Sequence, residues 1–119
     1  MKNSSIRVRL GYALDGWRAA FAEERSLRTH VLFIGAAIIA LLVLRPKLVW
    51  WALFAVISVV VISAELFNTA LERLSDHLHP DIHPAIKAVK DIAAAAVLVT
   101  SIGALLVAGL MVLAVVLGD

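Results

Sequence analysis

Cysteine is missing from all 119 residues, which excludes a disulfide framework, a thiolate nucleophile and a thiolate metal site. A strong excess of either charge is missing too. Eleven Lys and Arg against nine Asp and Glu leave a formal net charge of +2, too small to suggest a nucleic-acid partner. Neither GxxxxGK(S/T) nor a glycine-rich turn after a strand occurs, so the chain has no P-loop signature. The N-terminal stretch does not read as a cleavable signal. Its first long apolar run begins only after Arg28, and no small-residue cleavage site follows.

What is present is mostly hydrocarbon. Hydrophobic residues make up 62% of the chain and the mean hydropathy is +0.96, well outside the range of soluble globular domains. The length allows one domain, residues 1–119. A helical hairpin or three-helix bundle of this size cannot enclose a large site alone, so oligomerisation is expected. Three apolar spans stand out, assigned to residues 29–47, 48–66 and 92–117, the last without any charge. About 20 helical residues cross roughly 30 Å of hydrocarbon. The first two runs are somewhat short, and Arg28, Arg45 and Lys47 extend them by snorkelling. Read instead as buried helices of a soluble protein, three such spans would leave too little polar surface.

Residues 5–28 predict an amphipathic helix lying on the membrane surface. Ile6, Leu10, Leu14, Trp17 and Phe21 recur every three or four residues, with Arg7, Arg18 and Arg25 off that face. Gly11 and Gly16 are the weak points of this helix. Nine of the 11 Lys and Arg residues lie before the first span (Lys2, Arg7, Arg9, Arg18, Arg25, Arg28) or between the second and third (Arg73, Lys87, Lys90). Three crossings put those two segments on one side, and the positive-inside rule makes it cytoplasmic. The N-terminus is then cytoplasmic and the C-terminus external. Arg45-Pro46-Lys47 becomes an external turn, with Trp50 and Trp51 in the outer aromatic belt and Trp17 at the inner one.

The polar residues of the cytoplasmic segment, about 67–91, and of its membrane boundary form a coherent set. Glu65, Asn68 and Glu72 stand at i, i+3 and i+7, on one face of a helix that continues beyond the bilayer, and Asp76 follows Glu72 at i+4. Glu24 and Arg28 share a face by the same spacing. Pro80 and Pro84 break the helix, and Lys90-Asp91 stand at the mouth of the third span. Ionisable groups at membrane depth are costly and mark function by default. Two carboxylate regions and a lysine suit a hard divalent cation with a polyphosphate. Plainer readings exist for some of these residues. Glu24 with Arg28 reads equally as a surface ion pair, and Arg73 as a solvated helix end. His77, His79 and His83 invite a zinc site, but two prolines break their spacing, and a loop contacting nucleotide is preferred. Ala93–Ala96, Gly103, Ala104, Ala108 and Gly109 are small residues that let membrane helices pack closely.

The run Glu65-Leu-Phe-Asn68-Thr-Ala-Leu-Glu72, followed by Lys90-Asp91 before an alanine-rich helix, resembles the signature of the prokaryotic diacylglycerol kinase family, which includes undecaprenol kinases. The resemblance covers nearly the whole chain. Gly11-Tyr12, Gly16, Arg18-Ala19-Ala20, Glu24 and Arg28 fall where that family has its N-terminal pattern. It implies an all-α integral membrane protein with a surface helix and three transmembrane helices per subunit, assembled as a homotrimer whose active sites are shared between neighbouring subunits. It also implies transfer of the γ-phosphate of MgATP to a lipid hydroxyl, in a bacterial inner membrane.

Carried over by resemblance, Glu65 is the catalytic base and Asn68 orients it or the substrate. Glu24 and Glu72 hold the magnesium that bridges the ATP phosphates. Tyr12, Asp81, His83, Lys90 and Asp91, with Glu24 and Glu72, contact the nucleotide. Arg18, Ser26, Arg28 and His30 lie near the lipid headgroup, with Glu65. One departure concerns an arginine that the family often carries before the Gly-Tyr pair. An ungapped alignment places Ser5 there, and Arg7 or Arg9 replaces it only with a shift of register.

Physical chemistry agrees with this assignment. Phosphoryl transfer needs mainly positioning and charge neutralisation, and lipid and nucleotide can meet only at the interface. Diacylglycerol is the preferred acceptor. Undecaprenol is the alternative, to which Glu24-Arg25-Ser26 with His30, and His83-Pro84 with Lys87, are somewhat closer. A non-catalytic membrane adaptor would leave Glu65, Asn68 and Glu72 on one face without a chemical reason.

Overall fold

In the computed structural model the chain forms four α-helices: α1 (Ile6–Glu23), α2 (Arg25–Leu44), α3 (Leu48–Leu78) and α4 (Pro84–Leu117). The structure describes residues 5–79, 81 and 83–119. The expected break at Pro80 and the contribution of Lys2 to the charge asymmetry fall outside them. Among the described residues there is no strand. The all-helical architecture is that of a membrane protein, with α2, α3 and α4 each long and apolar enough to cross a bilayer.

Local sequence explains the helix limits. Ser5 caps α1, its hydroxyl accepting a hydrogen bond from the Val8 amide at 3.4 Å. The position expected to need an arginine for nucleotide contact is therefore a helix cap. α3 contains neither glycine nor proline and runs unbroken for 31 residues. At about 1.5 Å per residue it is about 46 Å long, exceeding the roughly 30 Å of hydrocarbon. The surplus length corresponds to its polar end. α4 opens with Pro84 at the first helical position, where a missing N–H costs nothing, and the His83 ring caps it by accepting from the Ala85 amide at 3.1 Å.

The buried core is small, formed by Ala20, Leu27, Leu41, Val61, Ala93 and Met111. Leu48, Leu105 and Val116 are instead more than 70% exposed. In water such surface would be a large penalty; facing acyl chains it is not. The main packing is α3 against α4. It is close at Gly103, where an added Cβ would meet Ile57 Cδ1 at 3.4 Å.

Two boundaries and one side-chain pairing differ from the sequence expectation. The helix expected over residues 5–28 is shorter. It ends at Glu23, because Glu24 is extended (φ −100°, ψ 106°), and residues 25–28 belong to α2. Glu24 caps α2 and its carbonyl accepts from the Arg28 amide at 3.3 Å, but among the described residues the two side chains form no ion pair. The Arg28 guanidinium Nη1 instead donates to the carbonyls of Phe21 (2.9 Å) and Ala22 (2.8 Å), satisfying the open end of α1. Finally, the segment 67–91 is mostly helical. Lys90 and Asp91 lie inside α4, which begins at Pro84, directly before its uncharged run from Ile92.

The α2–α3 turn carries backbone strain. Arg45 caps α2 in the left-handed region (φ 49°, ψ 56°), a conformation costing a non-glycine residue roughly 1–2 kcal/mol. Arg45→Gly is expected to stabilise the protein by about 1 kcal/mol, read as a higher midpoint of thermal unfolding in detergent. An unchanged or lower midpoint would show that the guanidinium contributes more than the strain removes.

Candidate active site

The site is built around one carboxylate. Glu65 lies at the last part of the apolar stretch of α3 and is 2% exposed. Glu65, Thr69 and Ser75 are the buried polar residues among those described, and a buried carboxylate must find donors. Ser26 Oγ, from the first turn of α2, donates to Glu65 Oε1 at 2.6 Å. His30 Nδ1, one turn further along α2, lies 2.5 Å from the same oxygen, in a geometry that is not a hydrogen bond, and makes none among the described residues. The other imidazole nitrogen, Nε2, is 3.3 Å from Ser101 Oγ of α4. Both protein contacts thus fall on Oε1, and Oε2 receives neither. Thr69 Oγ1 donates to the Glu65 carbonyl at 2.9 Å, tying off the hydroxyl within α3.

One turn towards the polar end, Asn68 Nδ2 donates to Glu72 Oε1 at 3.3 Å. The remaining amide oxygen, Asn68 Oδ1, is buried and has no partner. An orphaned acceptor of this kind normally demands an explanation. An oxygen with an open lone pair beside a carboxylate is what a hard cation takes as ligands. Glu24, at the extended joint, makes no capping hydrogen bond with its side chain. No group of three His, Asp or Glu residues gathers to hold a metal among the described residues. A cation here would rely on one or two carboxylates and the oxygens of a bound polyphosphate, the usual coordination of magnesium.

Beyond Glu72 the polar residues pair across the helix ends. Lys90 Nζ donates to Asp76 Oδ1, linking α4 to α3. Lys87 Nζ meets Asp91 Oδ2 at 2.6 Å within α4. Arg73 pairs with Glu23, joining α3 to α1, where a plain solvated end was expected. These groups are about one-third to two-thirds exposed, so each pair is worth roughly 0–1 kcal/mol. The His79 and His83 rings lie with centroids 5.1 Å apart. The nitrogen contacts recorded for both are to backbone: His79 Nδ1 is 3.0 Å from the Asp81 carbonyl, and His83 Nδ1 caps α4.

Of the residues singled out in the sequence, the fold brings together Ser26, His30 and Glu65, and separately Asn68 and Glu72. Lys90, Asp91, His83 and Asp81 lie at the far end of α3 and the start of α4. Tyr12 and Arg18 sit exposed on α1. A groove of about 480 Å³ between α1 and α3, lined by Trp17, Ala20, Leu66, Thr69, Ala70 and Arg73, runs beside the Glu65 region. Sequence reasoning did not find Ser101. Its one visible signal is a hydroxyl in an otherwise apolar run, next to Thr100, which bonds its own helix at the Val97 carbonyl.

The profile of the prokaryotic diacylglycerol kinase family matches residues 11–113. The chain belongs to that family. It is similar to a diacylglycerol kinase of Synechocystis, with 38% identity over 111 residues covering 92% of this chain and 63% of that protein. It therefore spans less than two thirds of that relative's length. Two Helicobacter pylori diacylglycerol kinases share 30% and 31% identity over 90 residues, 76% of this chain and 70% of each relative. The matched region contains every candidate site residue from Tyr12 to Asp91, Ser101 included. Membership agrees with the all-helical architecture and its three helices able to cross a membrane.

Proposed function

We propose that this protein transfers the γ-phosphate of MgATP to the hydroxyl of diacylglycerol, giving phosphatidic acid, at the cytoplasmic face of a bacterial inner membrane. The observation that carries the reading is Glu65: a buried carboxylate where an apolar helix becomes polar, with Oε1 contacted by Ser26 and His30 and Oε2 by neither.

On this reading Glu65 Oε2 takes the proton of the lipid hydroxyl as that oxygen attacks the γ-phosphorus, and ADP leaves. The bond formed is lipid oxygen to phosphorus; the bond broken is phosphorus to the β–γ bridging oxygen. Asn68 Oδ1 and Glu72, with Glu24, would hold magnesium. When bound, the cation offsets negative charge on the transferred phosphoryl group. Lys90 pairs with Asp76, and exchange of that carboxylate for a polyphosphate would supply a further cation to the nucleotide. Tyr12, Asp81, His83 and Asp91 are the remaining nucleotide contacts in this reading. The lipid headgroup lies against Arg18, Ser26 and Arg28, with the groove between α1 and α3 open to an acyl chain. α1 lies on the membrane surface, both the N-terminus and the 67–91 segment face the cytoplasm, and the C-terminus lies outside. Three copies complete the site. Most of the apolar surface of α2–α4 is uncovered within one chain, which supports assembly.

The test is phosphate transfer from γ-labelled ATP with magnesium, in mixed micelles offering diacylglycerol or undecaprenol separately. Labelled phosphatidic acid is the expected product. Label on undecaprenol alone would move the protein to the polyprenol branch of its family, and transfer to neither lipid by folded protein would overturn the reading.

A further inference from the structure

The observations around Glu65 extend to a residue whose role the lipid-contact expectation does not explain. His30 was expected near the lipid headgroup, yet both its ring nitrogens face protein: Nδ1 towards Glu65 Oε1 at 2.5 Å and Nε2 towards Ser101 Oγ at 3.3 Å. We propose that His30 is a positioning residue for Glu65, itself fixed by Ser101, so that α2, α3 and α4 jointly set the base. The proposal rests on the reading of Glu65 as that base.

Lone pairs constrain this contact. Two lone pairs cannot face each other at 2.5 Å, so the close approach requires a proton on one of the two atoms, although its geometry is not that of a hydrogen bond. With that proton on Nδ1, Nε2 is free to accept from the Ser101 hydroxyl. The Ser101 hydroxyl, which can donate or accept, then serves as the donor to Nε2 and holds the ring in this orientation. The arrangement also explains why α4 carries a hydroxyl at this depth. Thr100 returns its hydroxyl to the α4 backbone, whereas Ser101 reaches a side chain 71 residues away.

The consequence is directional. Ser26 and His30 both hold Oε1, so the carboxylate cannot turn freely, and Oε2 is the oxygen left to meet a hydroxyl. Fixing a base in its attack orientation raises turnover without changing how tightly either substrate binds.

The experiment compares His30→Phe, His30→Asn and Ser101→Ala in the full-length protein with saturating and limiting lipid and ATP. His30→Phe is expected to lower kcat by about 10- to 100-fold, with KM for both substrates within about twofold of the parent. His30→Asn, whose amide nitrogen replaces Nδ1 as donor to Oε1, is expected to recover most of that loss. Ser101→Ala is expected to lower kcat by about 3- to 10-fold. A raised KM for lipid at unchanged kcat would make His30 a lipid contact and overturn the proposal. Equal losses in His30→Phe and His30→Asn would overturn it as well, by reducing His30 to a packing role. A second readout does not depend on turnover: imidazole ¹⁵N NMR of the histidine-labelled protein, with the His30 signals assigned by their loss in His30→Asn. A proton on Nδ1 is expected, and a proton on Nε2 alone in an active enzyme would overturn the proposal while leaving the kinase reading intact. A folded parent protein that transfers no phosphate, whatever the tautomer, removes the base and the positioning role together.

Discussion

Glu65→Gln is expected to lower kcat for lipid phosphorylation by about 10²- to 10⁴-fold, the usual contribution of a general base. The amide keeps the size of the side chain and leaves an oxygen to accept from Ser26 Oγ, so the local packing survives. What is lost is the capacity to take a proton. Removing the carboxylate also removes the need to bury a charge, so thermal stability is expected to hold or rise slightly. The two effects together separate chemistry from folding. Initial rates with γ-labelled ATP, alongside a melting curve in the same detergent, make the comparison. Turnover near the parent value would mean that another group takes the hydroxyl proton, and Glu65 would then be only a buried structural acid.

Glu72→Gln tests the cation side. Asn68 Nδ2 reaches Glu72 Oε1 at 3.3 Å while Asn68 Oδ1 is buried without a partner. Loss of the Glu72 charge should therefore weaken the cation and the nucleotide it carries, and leave the base untouched. At limiting magnesium, kcat/KM for ATP is expected to fall about 10- to 100-fold. A large part of that loss should return as magnesium is raised, since the two remaining oxygens and the phosphates still bind the ion. Titrating magnesium at fixed ATP distinguishes the outcomes. A deficit that magnesium does not relieve would place Glu72 in direct contact with the nucleotide and not with the ion.

The sequence is legible where chemistry and periodicity coincide. Unbroken apolar stretches and the i, i+3, i+7 spacing of Glu65, Asn68 and Glu72 identify α3 and its polar end, because helical geometry alone places them on one face. Two features needed tertiary information. The stop at Glu24 has no proline or glycine to announce it. It depends on Arg28 reaching back to the carbonyls of Phe21 and Ala22 from the following helix. The roles of His30 and Ser101 were hidden for a related reason: they meet across 71 residues of sequence, and a serine in an apolar run says nothing about its partner. Arg73 and Lys90 were visible as charges, but their partners, Glu23 and Asp76, lie on other helices.

The unbroken course of α3 constrains how this chain can change in length. From Leu48 to Leu78 the helix offers no glycine, proline or bulge to absorb an inserted residue. One residue added or lost between Trp51 and Glu65 would turn everything beyond it by about 100° and shift it by about 1.5 Å. Glu65, Asn68 and Glu72 would then swing away from Ser26 and His30 as a group. Changes of three, four or seven residues nearly restore the angle, but seven also displaces the carboxylates by about 10 Å along the membrane normal. Single-residue insertions and deletions in this stretch should therefore be disfavoured among working members of the lineage, while the α2–α3 turn and the 79–83 segment are where length can vary.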